Sequence, residues 1–253
     1  MLIASWNVNS LKSRLTQVLT WLEEHKPDVL FLQELKGLEF PASTFEGKGY
    51  QTAHVAQKTY NGVATLSRYP IEVASTSLAG NDADSHARYL ETQINGVRLV
   101  NIYLPNGNPI GTEKFEYKLA WMDRLQTRLI ELKNDGILTI VGGDFNVIPE
   151  EVDCFSPKYW KNDALFQPEP RARFRALNQL GYVDAFRYFN QEAGQYTFWE
   201  YFREMFRKNQ GIRIDHFLVS RLLQPRMTSC TIDKGPRALE KPSDHAPILL
   251  TID

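Results

Sequence analysis

Carboxylate and carboxamide side chains recur where the apolar runs of this sequence end. The stretch VGGDFNV (141–147) closes an apolar run with two glycines and then presents Asp144 and Asn146. The first apolar run, near the N-terminus, closes in the same way with Asn7 and Asn9. Residues two positions apart share one face of an extended chain. Each pair can therefore direct two oxygen ligands into one space.

Similar groups close or open other apolar runs: Gln33, Glu34, Tyr103, Asn106, Asp215, His216, Asp244 and His245. If these strand ends converge, they form a pocket of carboxylates, amides and imidazole. The acids cannot stay ionised together without a counter-cation, and oxygen-rich ligand sets favour Mg²⁺ or Mn²⁺ over zinc. The sequence has no HExxH motif and no cysteine cluster. A hard metal beside a general base and amide donors suits phosphodiester hydrolysis.

Each of these residues also has an ordinary structural explanation when it is considered alone. Glu34 could be a solvated strand end, and Asn7 could be a turn residue. Tyr103 could belong to the core, Asp144 could cap a turn, and His245 could be a structural histidine. Only their joint occurrence at so many strand ends favours the catalytic interpretation.

Composition and charge exclude some classes of protein. The chain has 253 residues and a net charge of −1. No apolar run approaches the roughly 20 residues that span a bilayer, and the N-terminal segment lacks the features of a signal peptide. Cys154 and Cys230 have no metal-ligand or redox spacing, so we expect buried free thiols. We expect a cytoplasmic protein without membrane contact, and a monomer by default. Basic residues exceed acidic ones from Lys158 to Arg226, which fits a basic face beside an acidic pocket.

Apolar periodicity predicts a mixed α/β chain. Strands are predicted at 2–8, 28–34, 62–68, 87–94, 97–104, the run into Asp144, 213–220, 228–233 and 246–252. Helices are predicted from an N-cap at Ser10 to Pro27, over 112–133, and from Pro168 to Gly181. Asn95-Gly96 predicts a hairpin turn. Since no repeat or linker divides the chain, we expect a single α/β domain over residues 1–253, with two sheets packed face to face.

Seven segments, in this order, resemble the exonuclease III family of apurinic/apyrimidinic (AP) endonucleases, within the endonuclease/exonuclease/phosphatase superfamily. They are WNVNSL (6–11), LQELK (32–36), NGVATLSR (61–68), IYLPNG (102–107), GDFNV (143–147), RIDHFLVS (213–220) and KPSDHAPI (241–248). The resemblance covers essentially the whole chain. It implies a four-layer α/β sandwich of two mixed sheets flanked by helices. It also implies Mg²⁺-dependent cleavage of double-stranded DNA 5′ to an abasic site, with 3′→5′ exonuclease and 3′-end-cleaning activity.

The resemblance also implies roles for individual residues. Glu34 would be the principal ligand of Mg²⁺, or of Mn²⁺ in its place, within a ligand set of Asn7, Glu34, Asp144, Asn146, Asp244 and His245. Asp144 would activate or orient the attacking water, or bind a second metal, and Asn146 would hold the phosphate or water. His245, oriented by Asp215, would bind the scissile phosphate. Tyr103 would contact the phosphate or the leaving group.

DNA-contact residues follow from the same resemblance: Lys58, Tyr60, Asn106, Phe198, Trp199, Arg203, Met205 and Ile214. Phe198, Trp199 and Ile214 would wall a pocket for a flipped-out sugar. Lys58 and Tyr60 would lie on the DNA backbone. Asn106 would support the site, while Arg203 and Met205 fall in a loop near the lesion.

Three alternatives share parts of this pattern. A DNA 3′ exonuclease and 3′-phosphatase without AP endonuclease activity would keep every catalytic residue, and segment 162–174 can decide whether a continuous duplex is accepted. A phosphatase acting on lipids or inositol phosphates is disfavoured by the aromatic segment YTFWEYF (196–202) and the basic excess. A non-catalytic DNA-binding scaffold is expected to lose Glu34, Asp144 or His245, and all three are present. The loop 105–111 has no basic residue that could clamp DNA.

Overall fold

Two six-stranded mixed sheets form the centre of the computed structural model, which describes all 253 residues. The strands are β1 (Leu2–Asn7), β2 (Val29–Gln33), β3 (Gln51–Val55), β4 (Val63–Ser67), β5 (Glu72–Ser75), β6 (Tyr89–Ile94), β7 (Val97–Tyr103), β8 (Thr139–Asp144), β9 (Tyr182–Asp184), β10 (Asp215–Ser220), β11 (Met227–Ile232) and β12 (Ile248–Ile252). The helices are α1 (Leu11–His25), α2 (Ala42–Glu46), α3 (Glu113–Asn134), α4 (Pro157–Trp160), α5 (Pro168–Gln179) and α6 (Ala185–Phe189).

The strand order places one parallel pair at the centre of each sheet. The first sheet has the order β11-β12-β1-β2-β4-β3, and the second has the order β5-β6-β7-β8-β10-β9. In the first sheet β1 runs parallel to β2, and in the second β7 runs parallel to β8. The carboxyl ends of a parallel pair meet at the same edge of its sheet, so each sheet brings two strand ends together.

Alternation along the strands divides the core into layers. Ile3 and Phe31 point between the sheets, where they pack with Leu99 of the opposite sheet. Their neighbours Ala4 and Leu30 point outward and pack against α1. On the outer face of the second sheet, residues of β7 and β8 pack against α3 and α5. This confirms the predicted four-layer α/β sandwich.

The long predicted elements are confirmed, and the short ones were missed. Helix α3 lies within one residue of the predicted 112–133. The hairpin joins β6 to β7 through Asn95 and Gly96, which both have positive φ angles. The prediction missed α2, β3, β5, α4, β9 and α6, which have three to five residues each. Such segments offer too few residues for a periodic pattern.

Three further predictions can be compared with the structure. Ser10 occupies the N-cap position of α1, as predicted, but its side chain caps no backbone N–H, and its hydroxyl lies 3.0 Å from that of Ser13. Cys154 and Cys230 are buried free thiols, as predicted. None of the helices has the length and apolarity needed to cross a membrane.

The two glycines before Asp144 are required by close packing. A β-carbon on Gly142 would overlap the Phe217 ring, which packs between the sheets. A β-carbon on Gly143 would overlap the carbonyl oxygen of Ile102 on the neighbouring strand, and its φ of 140° also disfavours a side chain. The glycines therefore let β8 pack closely against β7 and against the ring of Phe217, and β8 carries Asp144 to the edge of its sheet.

Gly143→Ala is expected to destabilise the protein by about 3 kcal/mol, because backbone would have to move away from the new methyl group. The free energy of urea-induced unfolding measures the change. Gly37→Ala is the matched control, since its new β-carbon would lie 4.0 Å from the nearest of its neighbouring atoms. Equal stability of the two variants would contradict the packing argument.

Candidate active site and metal centre

Strand ends from both sheets meet at one edge of the sandwich. Asn7 ends β1, and Glu34 directly follows β2, its parallel partner. Tyr103 ends β7 opposite Asp144, which ends β8. Asp215 begins the antiparallel strand β10 and pairs with Asp144. The structure therefore brings together the side chains that the sequence placed at separate strand ends.

A compact cluster of two carboxylates and one imidazole occupies this edge. One ligand atom each of Glu34, Asp144 and His245 lies within 4.8 Å of the other two. Asn7 joins the acids, because its Nδ2 donates to Glu34 Oε1 and to Asp144 Oδ2, at 2.9 Å each. The oxygen of the Asn7 amide accepts the N–H of Asn9 at 3.0 Å. In this orientation Asn7 spaces the carboxylates, and its amide must rotate to act as a ligand.

The donor set fits a divalent cation. Ligands about 2.1 Å from an octahedral ion are separated by roughly 3–4.2 Å, which small side-chain movements of the cluster would reach. Burial raises the pKa of Asp144 to about 7; the charge of His245 opposes this shift, and those of Asp215 and Glu34 add to it. A bound cation would relieve that repulsion. The cluster is therefore a candidate metal site built from acidic groups.

Glu34 is held in place by its backbone and by a lysine. Its φ of 56° turns the chain sharply after β2, a conformation that is uncommon for a residue with a side chain. Lys36 Nζ lies 2.6 Å from Glu34 Oε2. Burial alone would raise the pKa of Glu34, but the charge of Lys36 and the hydrogen bond from Asn7 outweigh burial and lower it. Glu34 is therefore an ionised carboxylate and a candidate metal ligand.

His245 is oriented by a carboxylate on the neighbouring sheet. Its Nδ1 lies 2.8 Å from Asp215 Oδ2, and its Nε2 lies 3.7 Å from Asp144 Oδ2. Burial would lower the pKa of His245, but the charges of Asp215 and Asp144 overcome it and raise the pKa to about 10. Thr197 Oγ1 accepts the N–H groups of Ile214 and Asp215, both at 3.1 Å. A protonated imidazole thus directs a donor toward the cluster.

Two asparagines and a tyrosine complete the edge. The backbone N–H of Asn146 donates to Asp144 Oδ1 at 2.9 Å, and its amide group donates to the Leu104 carbonyl at 2.9 Å. Asn106 Nδ2 donates to Asn146 Oδ1 at 3.3 Å. Burial, with the charges of Glu34 and Asp144, raises the pKa of Tyr103 well above its usual value. Tyr103 therefore keeps its phenolic proton as a donor.

The predicted DNA-contact residues fall into three groups. Phe198 contacts His245 edge-on, with ring centroids 5.0 Å apart, and packs beside Ile214. Trp199 and Met205 are buried in a separate core cluster. The exposed members are Lys58, Tyr60, Asn106 and Arg203. Tyr60 lines a cleft of about 360 Å³ that opens beside Glu34 and Tyr103. The DNA contacts of all these residues remain predictions.

Asp244 lies beside the cluster and does not join it. Its Oδ1 accepts a hydrogen bond from Asn9 Nδ2 at 3.0 Å, and the group formed by Glu34, Asp144 and His245 does not include it. Asn9 also donates to the hydroxyl of Tyr201 at 3.2 Å. A ligand role for Asp244 therefore remains a prediction.

Several residues that shape the site were not selected from the sequence. Lys36, which forms an ion pair with Glu34, lies within the segment LQELK. Its position two residues after Glu34 is a signal from which the pair could have been predicted. Tyr201 and Phe202 are exposed in the loop near the predicted lesion pocket, where the sequence selected the buried Met205 instead. Lys118 is buried beneath Asn146. It falls on the apolar stripe of α3, three residues after Phe115 and four before Met122, so a lysine at this spacing is a sequence signal that could have marked it.

A buried ionic network supports Asp215 from behind. Arg213 donates to Asp153 Oδ1 at 2.7 Å and to Asp184 Oδ2 at 2.9 Å. His216 lies 2.8 Å from Arg213 through its Nδ1 and donates from Nε2 to the Val147 carbonyl at 3.0 Å. Burial and the charge of Arg213 lower the pKa of His216 to about 4. The neutral His216 and the paired Arg213 fix the start of β10.

The fold and this edge match one protein family. The model of the endonuclease/exonuclease/phosphatase family matches residues 4–245, and the chain belongs to that family. Among curated relatives it is similar to exodeoxyribonuclease III of Haemophilus influenzae, with 34% identity over 98% of both chains. It is also similar to the DNA-(apurinic or apyrimidinic site) endonuclease of Dictyostelium discoideum, with 32% identity over the whole chain and 71% of the relative.

Solved structures show the same likeness. The 3′ phosphatase NExo from Neisseria, bound to a product DNA hairpin, has a TM-score of 0.96 and 36% identity, over 100% of this chain and 99% of that one. An AP endonuclease from Archaeoglobus fulgidus has a TM-score of 0.94 and 36% identity, with the same coverage. The fold is thus shared with enzymes named for two different DNA reactions.

Proposed function

We propose that this protein is a Mg²⁺-dependent DNA-repair phosphodiesterase that cleaves 5′ to abasic sites. It would also act as a 3′→5′ exonuclease and remove blocking groups from 3′ ends. The observation that carries the proposal is the cluster of Glu34, Asp144 and His245, spaced by Asn7 at the edge of both sheets. Family membership and the relatives named above support it.

The groups of the cluster have two tasks, which are to neutralise the charge of the phosphate and to transfer protons. Mg²⁺, or Mn²⁺ in its place, would be held by Glu34 and Asp144 and would offset the charge of the phosphoryl group. Asp144 accepts a proton from the attacking water, which Asn146 helps to orient. Tyr103 donates to the phosphate or to the leaving oxygen.

His245 has two predicted roles that compete for one atom. Metal ligation and phosphate binding both require Nε2, since Nδ1 is bonded to Asp215. A protonated ring has no lone pair for a metal. The hydrogen bond to Asp215 and the raised pKa therefore favour phosphate binding. In this assignment His245 donates to a non-bridging oxygen of the scissile phosphate.

The exposed groups around the edge supply the DNA-binding surface. Tyr60 lines the cleft beside Glu34, and Lys58 is exposed two residues before it. Arg203 lies over the ring of Phe202 in the exposed loop that also carries Tyr201. Basic side chains bind phosphates without regard to sequence, and exposed aromatic rings stack on unpaired bases. Residues 1–253 would act as one catalytic domain and as a monomer on double-stranded DNA.

A second candidate function is a DNA 3′ exonuclease and 3′-phosphatase that lacks AP endonuclease activity. The similarity to the 3′ phosphatase NExo is compatible with this alternative, because it equals the similarity to an AP endonuclease in sequence identity. Both candidates use the same cluster. They differ in whether the site accepts a continuous strand past the lesion.

Cleavage of two 5′-labelled duplexes, with Mg²⁺ or with EDTA, distinguishes the two candidates. One duplex carries an internal abasic analogue in a continuous strand, and the other carries a nick that ends in a 3′-phosphate. We expect metal-dependent incision of the first duplex and processing of the second. Asp144→Asn, purified in the same way, controls for contaminating nucleases.

The outcomes assign the function directly. Incision at the abasic analogue establishes AP endonuclease activity. Processing of the 3′-phosphate alone would replace the first proposal with the second and direct attention to segment 162–174. Activity on neither duplex would contradict the proposed DNA substrate.

A further inference from the structure

Lys118 is a completely buried lysine that makes no salt bridge. It lies on α3 with 0% of its surface exposed. Its ammonium group donates to three backbone carbonyl oxygens, those of Asn106 at 3.0 Å, Asn146 at 2.6 Å and Ala164 at 3.1 Å. An ammonium has three N–H donors. Every donor of Lys118 is therefore used by the backbone.

The three carbonyls belong to three different loops. Asn106 lies in the loop between β7 and α3, Asn146 follows β8, and Ala164 lies between α4 and α5. The first two residues are the amides that stand at the predicted catalytic edge. Ala164 belongs to segment 162–174, the segment expected to decide whether a continuous duplex is accepted.

A buried charge is costly, so its presence here calls for a compensating role. A methionine side chain would fill similar volume without that cost, but it would leave three carbonyls without a common donor. The loops also pack tightly around the lysine. A β-carbon on Gly107 would lie 2.6 Å from Lys118 Cδ, so the loop passes directly over the side chain.

Asn108 adds a second link between two of these loops. Its Nδ2 donates to Asp163 Oδ1 at 3.0 Å, and its Oδ1 accepts the N–H of Ala164 at 2.9 Å. Asn108 does not reach Asn146. The Asn106 side chain links its own loop to Asn146, whereas Lys118 hydrogen-bonds to all three loops at once.

We propose that Lys118 is a positioning residue for phosphodiester cleavage, which acts by fixing the three loops around the site. The path is short: Lys118 holds the Asn146 carbonyl, and the Asn146 N–H holds Asp144 Oδ1 at 2.9 Å. The same ammonium holds Ala164, so it joins segment 162–174 to the catalytic edge. This inference rests on the proposed DNA phosphodiesterase function.

Lys118→Met tests the proposal with a side chain of similar length and no donors. We expect kcat to fall about 10²-fold, as expected for a displaced catalytic group, with KM changed less than about 3-fold. Lys114→Met is the matched control, since Lys114 is exposed one turn earlier on the same helix. It is expected to leave kcat unchanged. Both variants are compared at equal folded fraction on whichever DNA substrate the wild-type protein cleaves.

Chemical rescue separates positioning from a merely structural role. Lys118→Ala removes the side chain beyond Cβ, and n-propylammonium supplies the missing methylenes and ammonium. We expect it to restore part of kcat, whereas tetramethylammonium, which has no N–H donor, does not. Wild-type kcat in Lys118→Met, or a loss that n-propylammonium leaves unchanged, overturns the positioning role.

Hydrogen exchange tests the connection of the three loops without requiring any DNA cleavage. In Lys118→Met we expect faster amide exchange in residues 104–108, 144–148 and 163–166 together, and in none of them for Lys114→Met. If the wild-type protein cleaves no DNA, the proposed function fails, while this exchange pattern still supports the connection of the three loops. Unchanged exchange in the three loops overturns it.

Discussion

Replacing Asp144 with Asn is expected to lower kcat by about 10³- to 10⁴-fold, as for the loss of an essential base. An amide cannot take a proton from water and carries no charge to hold a metal. Both oxygens of Asp144 also face N–H donors, from Asn7 and from Asn146. The amide nitrogen of the new asparagine would face one of these N–H donors in either orientation of the side chain. The variant is therefore expected to disturb the spacing of the cluster as well. Single-turnover cleavage at saturating enzyme measures the effect.

DNA binding should survive this change, because the exposed basic and aromatic groups lie elsewhere. Fluorescence anisotropy in EDTA is expected to give a Kd close to that of the wild type. Asp135→Asn, a substitution of an exposed residue next to α3, is the control and should cleave normally. Near-normal turnover by Asp144→Asn would remove it from the catalytic role proposed here.

Glu34→Gln is expected to raise the Mg²⁺ concentration needed for half-maximal cleavage by at least about 10-fold. The change removes one of the two carboxylates that face the proposed metal, and ligand charge governs the affinity for hard cations. Asn7 can still donate to the remaining side-chain oxygen, so the fold of the edge is expected to persist. A metal titration of cleavage rate measures the shift, and circular dichroism confirms folding.

Lys36→Met is expected to change the Mg²⁺ requirement in the opposite direction. Its ammonium lies 2.6 Å from Glu34 Oε2 and competes with any cation for that oxygen. Removing it should lower the Mg²⁺ concentration for half-maximal cleavage. If Glu34→Gln and Lys36→Met shift the metal titration in the same direction, Lys36 does not compete with the metal for Glu34, and the ligand role of Glu34 is contradicted.

The sequence predicted the convergence of the site because strand ends are readable. Asn7, Glu34 and Asp144 each close a strongly apolar run, and parallel pairing brings such ends together. The same reasoning placed Tyr103 at a strand end, and the structure pairs it with Asp144. The long strands and helices predicted two sheets packed face to face, because their patterns extend over enough residues to be read, and the family resemblance implied the four layers.

Burial of individual side chains was harder to predict. Trp199 and Met205 lie in an aromatic segment whose composition suits either a binding wall or a core, and the packing of this loop places both inside. Lys118 presents the converse case. Its position on the apolar stripe of α3 indicates a buried stem, and only the tertiary arrangement of three loops shows that the ammonium itself is enclosed.

One polar contact between the sheets has a wider consequence. Gln33 Nε2 donates to Asn101 Oδ1 at 2.8 Å, and Asn101 Nδ2 donates to the Ala64 carbonyl at 2.7 Å, all within the buried interior. Apolar layers can slide past each other with little change in energy because their attraction has no direction. Hydrogen bonds lose strength quickly when displaced. The pair therefore fixes the lateral position of one sheet relative to the other. That position places Glu34 of the first sheet opposite Asp144 of the second.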